Sequence, residues 1–171
     1  MDCLEPNGMG KLAGEVFRYW LSISPGPGLL PGRQHFDPLD IPAPLLPHIW
    51  LLDVEHGPPL RFRARLVGTA ISRSGPMYRM GTYVEPDHAL PGRTNFYSRL
   101  VELLGSPEPD YYAGPPLLPG LLGRVRTLNR ITLPMARDGR TVDMFLNATF
   151  LEWEPGFHAG GPGFLGTGLT G

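Results

Sequence analysis

Apolar and polar positions divide the chain into segments of two kinds. From His48 to Glu55 (HIWLLDVE) apolar side chains fall on both alternating faces, which predicts a strand buried on both sides and ended by Gly57-Pro58-Pro59. Leu60 to Val67 alternates instead. Leu60, Phe62, Ala64 and Leu66 share one face and Arg61, Arg63 and Arg65 the other, the pattern of a strand with one wet face. The short gap between the two predicts a hairpin. Arg124 to Ala136 alternates again, with Val125, Thr127, Asn129, Ile131, Leu133 and Met135 together, and Thr141 to Trp153 is apolar on both sides. Between them Arg137-Asp138-Gly139-Arg140 is a hairpin turn, because Asp-Gly accommodates the positive φ that tight hairpins need. Tyr111 to Leu118, set among prolines and glycines, is expected as a short edge strand.

Helical spacing takes over elsewhere. Leu12, Ala13, Val16, Phe17, Tyr19, Trp20 and Ile23 put a wide apolar stripe on a helix over Lys11–Ile23, which Ser24-Pro25-Gly26-Pro27-Gly28 ends. Asp37-Pro38 is a helix start, since the carboxylate can cap the first turn and proline already holds the helical φ. Pro42, Pro44 and Pro47 keep that helix short, with Leu39, Ile41, Leu45 and Leu46 expected inward. Gly68 to Met80 holds one or two short helical turns. Thr94 caps a second clear helix through Leu104, with Phe96, Leu100, Leu103 and Leu104 inward and Gly105 as the stop. This order predicts an α+β domain: a five-stranded antiparallel sheet, helices covering one face, and an N-terminal amphipathic helix. The first and last strands, apolar on both sides, should lie beside each other at its centre.

Length and composition restrict the picture further. At 171 residues the chain is a single domain, over 11–154, between a disordered N-terminus (1–10) and a disordered Gly-rich tail (155–171). Its net charge of -1 argues against a nucleic-acid partner, which basic residues would have to attract. No apolar run approaches the roughly 20 residues that span a bilayer, and no signal peptide opens the chain, so a cytoplasmic protein without membrane contact is expected. The one cysteine, Cys3, allows neither an intramolecular disulfide nor a cysteine cage for a metal.

Four stretches together resemble a PAS domain, in particular a bacterial PAS family of the alphaproteobacterial type. They are Phe36-Asp37-Pro38-Leu39-Asp40-Ile41-Pro42; Leu46-Pro47-His48-Ile49-Trp50-Leu51-Leu52-Asp53-Val54-Glu55; Arg61-Phe62-Arg63-Ala64-Arg65-Leu66-Val67-Gly68-Thr69-Ala70-Ile71; and Leu133-Pro134-Met135 with Asp138-Gly139-Arg140-Thr141-Val142-Asp143-Met144. The likeness runs from about Gly14 to Trp153. It implies a signal-input or protein-interaction module, and it casts the Lys11–Ile23 helix as a flanking helix that packs on the sheet or on a second subunit.

Candidate chemistry narrows against that background. Haem-binding PAS domains commonly draw a ligand from the long helix before the third strand, and Thr94–Leu104 has no histidine; His88 beside Asp87 is read as a solvated loop residue and His48 as a hydrogen-bonded structural one. Flavin adduct chemistry needs a core cysteine, which Cys3 is not. No cofactor and no metal site is therefore assigned. Ser72, Ser74, Asp87 and His88 supply triad-type residues in composition alone, without a nucleophile elbow, and no catalytic residue is expected. Asp53 and Glu55 read as solvated, and Asn147-Ala148-Thr149, inside a strand, as a chance glycosylation pattern.

Two functions remain. One is a non-enzymatic sensory module with an apolar ligand pocket between sheet and helices, lined by Trp50, Phe62, Leu66, Tyr97, Leu100, Ile131 and Phe145, with Asn129, Asn147 and Thr149 as its polar groups. The other is a ligand-free interaction or dimerisation module with a filled core. Its surface would include Phe17, Trp20 and the arginine row Arg61, Arg63 and Arg65, facing a second copy or a signalling protein.

Overall fold

The computed structural model describes residues 10–75, 78–86, 96–116 and 121–159. The N-terminal stretch with Cys3, the Asp87–His88 pair, the Thr94 cap and the end of the Gly-rich tail lie outside them.

The two strands with apolar side chains on both faces, β1 (Ile49–Glu55) and β5 (Met144–Trp153), pair antiparallel. β2 (Arg61–Val67) continues the sheet beyond β1, while β4 (Val125–Met135) and then β3 (Asp110–Gly114) continue it beyond β5. The resulting five-stranded antiparallel sheet has the order β2-β1-β5-β4-β3, consistent with a PAS-like fold. The expected central pairing of first and last strands is present. Burial is the reason: a strand apolar on both faces is stable only where both faces are covered.

Both faces are covered. α1 (Lys11–Ser22) and the segment after it pack on one face, where Val16, Trp20, Ile41, Leu45, Ile49, Leu51, Ile131, Leu133, Leu146 and Ala148 form a core. α2 (Thr69–Ser72) and α3 (Phe96–Gly105) take the other, with Leu52, Phe62, Ile71, Leu100, Leu103 and Phe145 at its heart. Each fully buried Leu, Ile or Phe contributes about 1.5–3 kcal/mol, so neither layer is dispensable. Trp20 lies against the chain's own sheet, only 7% exposed, with Nε1 donating to the Pro134 carbonyl at 3.0 Å. Of the two places expected for this helix, the sheet or a second subunit, Trp20 takes the sheet, which removes it from the interaction surface. Phe17 stacks beside it and is half-buried.

Local chemistry explains most element ends. The Asp37 carboxylate accepts from Leu39 N–H at 2.9 Å over a 3-10 turn, Pro38–Asp40. The prolines hold this segment to separate single turns, which leaves Leu39 87% exposed rather than inward. In the β4–β5 turn Gly139 has φ +79°, as Asp-Gly predicts, and Asp138 accepts from the N–H groups of Arg140 and Thr141 at 2.8 and 2.7 Å. Gly68 must be glycine for another reason: a Cβ there would collide with the Pro47 carbonyl.

The alternation in β2 is broken once. Leu51 pairs with Leu66 but Leu52 pairs with Ala64, so Arg65 is an extra residue, a β-bulge. A bulge reverses the facing of the residues after it. Leu66 therefore packs with the α1 layer, and Val67 takes the place beside Phe62 and Ala64.

Candidate functional site

A cavity of about 70 Å³ opens between the sheet and the segment around α2 and the start of α3. Trp50 and Leu52 of β1, Ala64 and Val67 of β2, Ile71 of α2, and Leu128 and Leu151 from the far strands give it an apolar wall. Ser74, Tyr78, Arg130 and Thr149 are its inner polar residues, and the exposed Glu85 stands at its rim. The space holds roughly five waters at about 10–15 Å³ of such volume each, or a few ligand atoms.

Arg130 dominates the electrostatics. It sits mid-strand in β4, paired across to Thr149 of β5 and Tyr112 of β3, and is 6% exposed. Its guanidinium lies 3.7 Å from the Phe96 ring centroid and 5.8 Å from that of Tyr112. The ring faces meet its charge, the Tyr112 hydroxyl donates to the Pro115 carbonyl at 2.7 Å, and the Arg130 Nε is buried without a hydrogen-bond partner among the described residues. Burial pulls its pKa down to about 10, opposed by the charge of Asp110, so it remains a cation at neutral pH. Asp110 itself is taken by Arg99, whose Nε donates to it at 2.8 Å. Burial also pushes the Tyr78 phenol up, which keeps it protonated. Thr149 Oγ1 accepts from Trp50 Nε1 at 3.0 Å and keeps its own proton to donate.

The residues expected to line a pocket separate into three groups. Trp50 and Thr149 line the cavity. Phe62, Tyr97, Leu100 and Phe145 belong to the same layer but fill it: Tyr97 stands edge-on to Phe62 at 5.2 Å and donates to the Leu60 carbonyl at 2.9 Å, and Phe145 meets Phe62 at 6.1 Å. Asn147 is fully buried on that face beside Thr132, its Nδ2 near the Phe145 carbonyl at 3.4 Å; its Oδ1 and the Thr132 Oγ1 have no partner among the described residues. Leu66, Ile131 and Asn129 are not brought to the cavity. They lie on the opposite face, where Leu66 and Ile131 belong to the α1 core and Asn129 Oδ1 accepts from Tyr111 at 3.2 Å. The bulge at Arg65 displaced the first. The other two lie on the odd-numbered side of β4, and it is the even-numbered side that carries Leu128, Arg130 and Thr132 into the second layer. Arg130, Tyr78 and Ser74 were missed. An arginine in the middle of a long strand, on the same side as Leu128, was the available signal for Arg130.

The arginine row is engaged with β1. Arg61 pairs with Glu55 at 2.8 Å and lies over the Tyr83 ring, and Arg65 pairs with Asp53 at 3.3 Å, so the two carboxylates expected to be solvated pair with two of the three arginines. Arg63 is exposed. Among the histidines, His48 Nδ1 meets the Thr149 carbonyl at 3.1 Å and His56 Nε2 the Val142 carbonyl at 2.8 Å, both structural contacts. Among the described residues no three His, Cys, Asp or Glu side chains are grouped to hold a metal, and no helix is long and apolar enough to cross a membrane.

No family model, curated protein or solved structure matches this chain. The cavity therefore carries the functional reading.

Proposed function

We propose that this chain is a non-enzymatic sensory module of the PAS type, which binds a small molecule between its sheet and its α2–α3 layer and passes occupancy on through its association with a second copy or a signalling protein. The observation that carries this reading is the cavity itself: an apolar chamber in which a buried cation and hydroxyl donors converge. Its polar groups suit recognition rather than turnover. Ser74 Oγ donates to the Ile71 carbonyl at 2.6 Å, and among the described residues no histidine lines the chamber to serve as a base for it. A cytoplasmic location belongs to the same reading.

The test is ligand-dependent stability. A ligand at a hundredfold excess over its dissociation constant stabilises the fold by about 2.7 kcal/mol. At least one compound of a broad metabolite panel should therefore raise the unfolding temperature of the purified chain by several degrees. Ala64→Leu, which fills the chamber from β2, should abolish the rise and leave the circular dichroism spectrum unchanged. A panel without effect would count against the sensor.

A second reading has its own support. Along α1, Leu12 and Leu21 are 44% and 50% exposed and Phe17 is half-buried, an apolar margin suited to pairing without any ligand. A dimer in light scattering that Leu21→Glu dissolves, in a chain that binds nothing, would favour it.

A further inference from the structure

We infer that the chamber takes a short-chain monocarboxylate, with the carboxylate on Arg130 and the hydrocarbon body against Trp50, Leu52, Val67 and Ile71. This rests on the reading that the chamber binds a ligand, and it names the chemistry of that ligand.

Three observations select an anion. The Arg130 Nε is buried with no acceptor among the described residues, and the guanidinium lies over the Phe96 ring at 3.7 Å, a contact that meets its charge and leaves the Nε–H donor to be met by something else. Within the protein, the carboxylate whose charge most supports Arg130 is Asp110, and Arg99 already holds it at 2.8 Å. Finally, the other inner groups able to reach a ligand, the Tyr78 phenol and the Thr149 hydroxyl, are neutral donors. A neutral or cationic head group would leave the buried cation uncompensated.

Charge and shape select a carboxylate among anions. A guanidinium edge presents two parallel N–H groups at the spacing of two carboxylate oxygens. One negative charge balances the one inner positive charge, whereas a phosphate dianion would leave an excess facing the Glu85 carboxylate at the rim. Size then limits the body. A cavity of about 150 Å³ encloses benzene, so about 70 Å³ encloses roughly half as many heavy atoms, with the rest of the chain leaving through the mouth; acids of about three to six carbons fit.

The experiment titrates the purified chain by calorimetry with the sodium salts from acetate to hexanoate, with butyramide and with butylammonium chloride, at matched ionic strength. Butyrate or a neighbour in the series should bind at least tenfold more tightly than butyramide, with butylammonium weakest. In Arg130→Met, which keeps the length and apolar character of the side chain, that preference should vanish. Arg130→Lys, which keeps the charge without the fork, should retain part of it. Equal binding of butyrate and butyramide by the unaltered chain would overturn the inference and leave the ligand-binding reading standing. A carboxylate preference that survives in Arg130→Met would overturn it too, and a chain that binds none of the compounds would overturn the inference together with the reading beneath it. The selectivity of the unaltered chain decides the matter even if a variant does not fold.

Discussion

Arg130 occupies a position in β4 that an apolar residue would fill at lower cost, because a buried charge without an ionic partner loses far more solvation than stacking on one ring returns. Arg130→Met should accordingly stabilise the empty protein, by about 1 kcal/mol or more, seen as a higher urea midpoint at unchanged slope. A lower midpoint would make Arg130 a structural prop between Phe96 and Tyr112. Asp138 is the opposite case, an exposed carboxylate made useful by geometry. The N–H groups of Arg140, first, and Thr141 hold its pKa down to about 2 from an ordinary value of 3.8. A carboxylate whose pKa is depressed by folding stabilises the fold above its unfolded pKa, and that contribution is lost as pH falls through the folded value. Asp138→Ala should therefore lower the unfolding temperature at pH 6, and the gap from the unaltered chain should close between about pH 4 and pH 2. A gap of constant size across that range would show that the turn does not depend on the ionised side chain.

Among the elements, α1 is the one whose attachment is most specific. Beyond Thr132 β4 has no β3 neighbour, and there its backbone is met by the Trp20 indole, donating to the Pro134 carbonyl at 3.0 Å. Trp20→Phe should cost about 1 kcal/mol from the lost hydrogen bond, and Trp20→Ala about 3–5 kcal/mol from the cavity, as read from chemical unfolding. Equal costs would mean that the hydrogen bond carries nothing separate from packing. The helix itself was legible in the sequence. So were the strands, the Asp-Gly turn and the β1–β5 pairing, because periodicity and turn chemistry are local properties. The lining of the chamber was less legible because it depends on facing. One bulged residue, Arg65, moves Leu66 out and Val67 in, and nothing in the alternation of Leu60–Val67 announces it. β4 has a different obstacle: both its sides are buried, yet Arg126, Arg130 and Thr132 give its even-numbered side a polar pattern, so alternation points to the side of Asn129 and Ile131 while the chamber lies on the other.

For the molecule as a whole, the sheet divides the interior into two layers with different tasks. The α1 layer is a filled core of aliphatic and aromatic side chains closed by the Trp20 bond. The α2–α3 layer contains the chamber, the buried cation, and the unpartnered Thr132 and Asn147 oxygens among the described residues, a concentration of polar cost that a purely structural core would avoid. In the proposed reading, a ligand held between the sheet and the helical segments would shift those segments, and with them any surface they share with a partner. The central claim, that the chamber holds a small molecule, is tested most directly by native mass spectrometry of the protein purified from its own source cells, which reads bound mass and association state together. The account predicts an added mass of a small organic acid on the unaltered chain, absent from Ala64→Leu; a bare chain mass in both proteins, with the same association state, would contradict it.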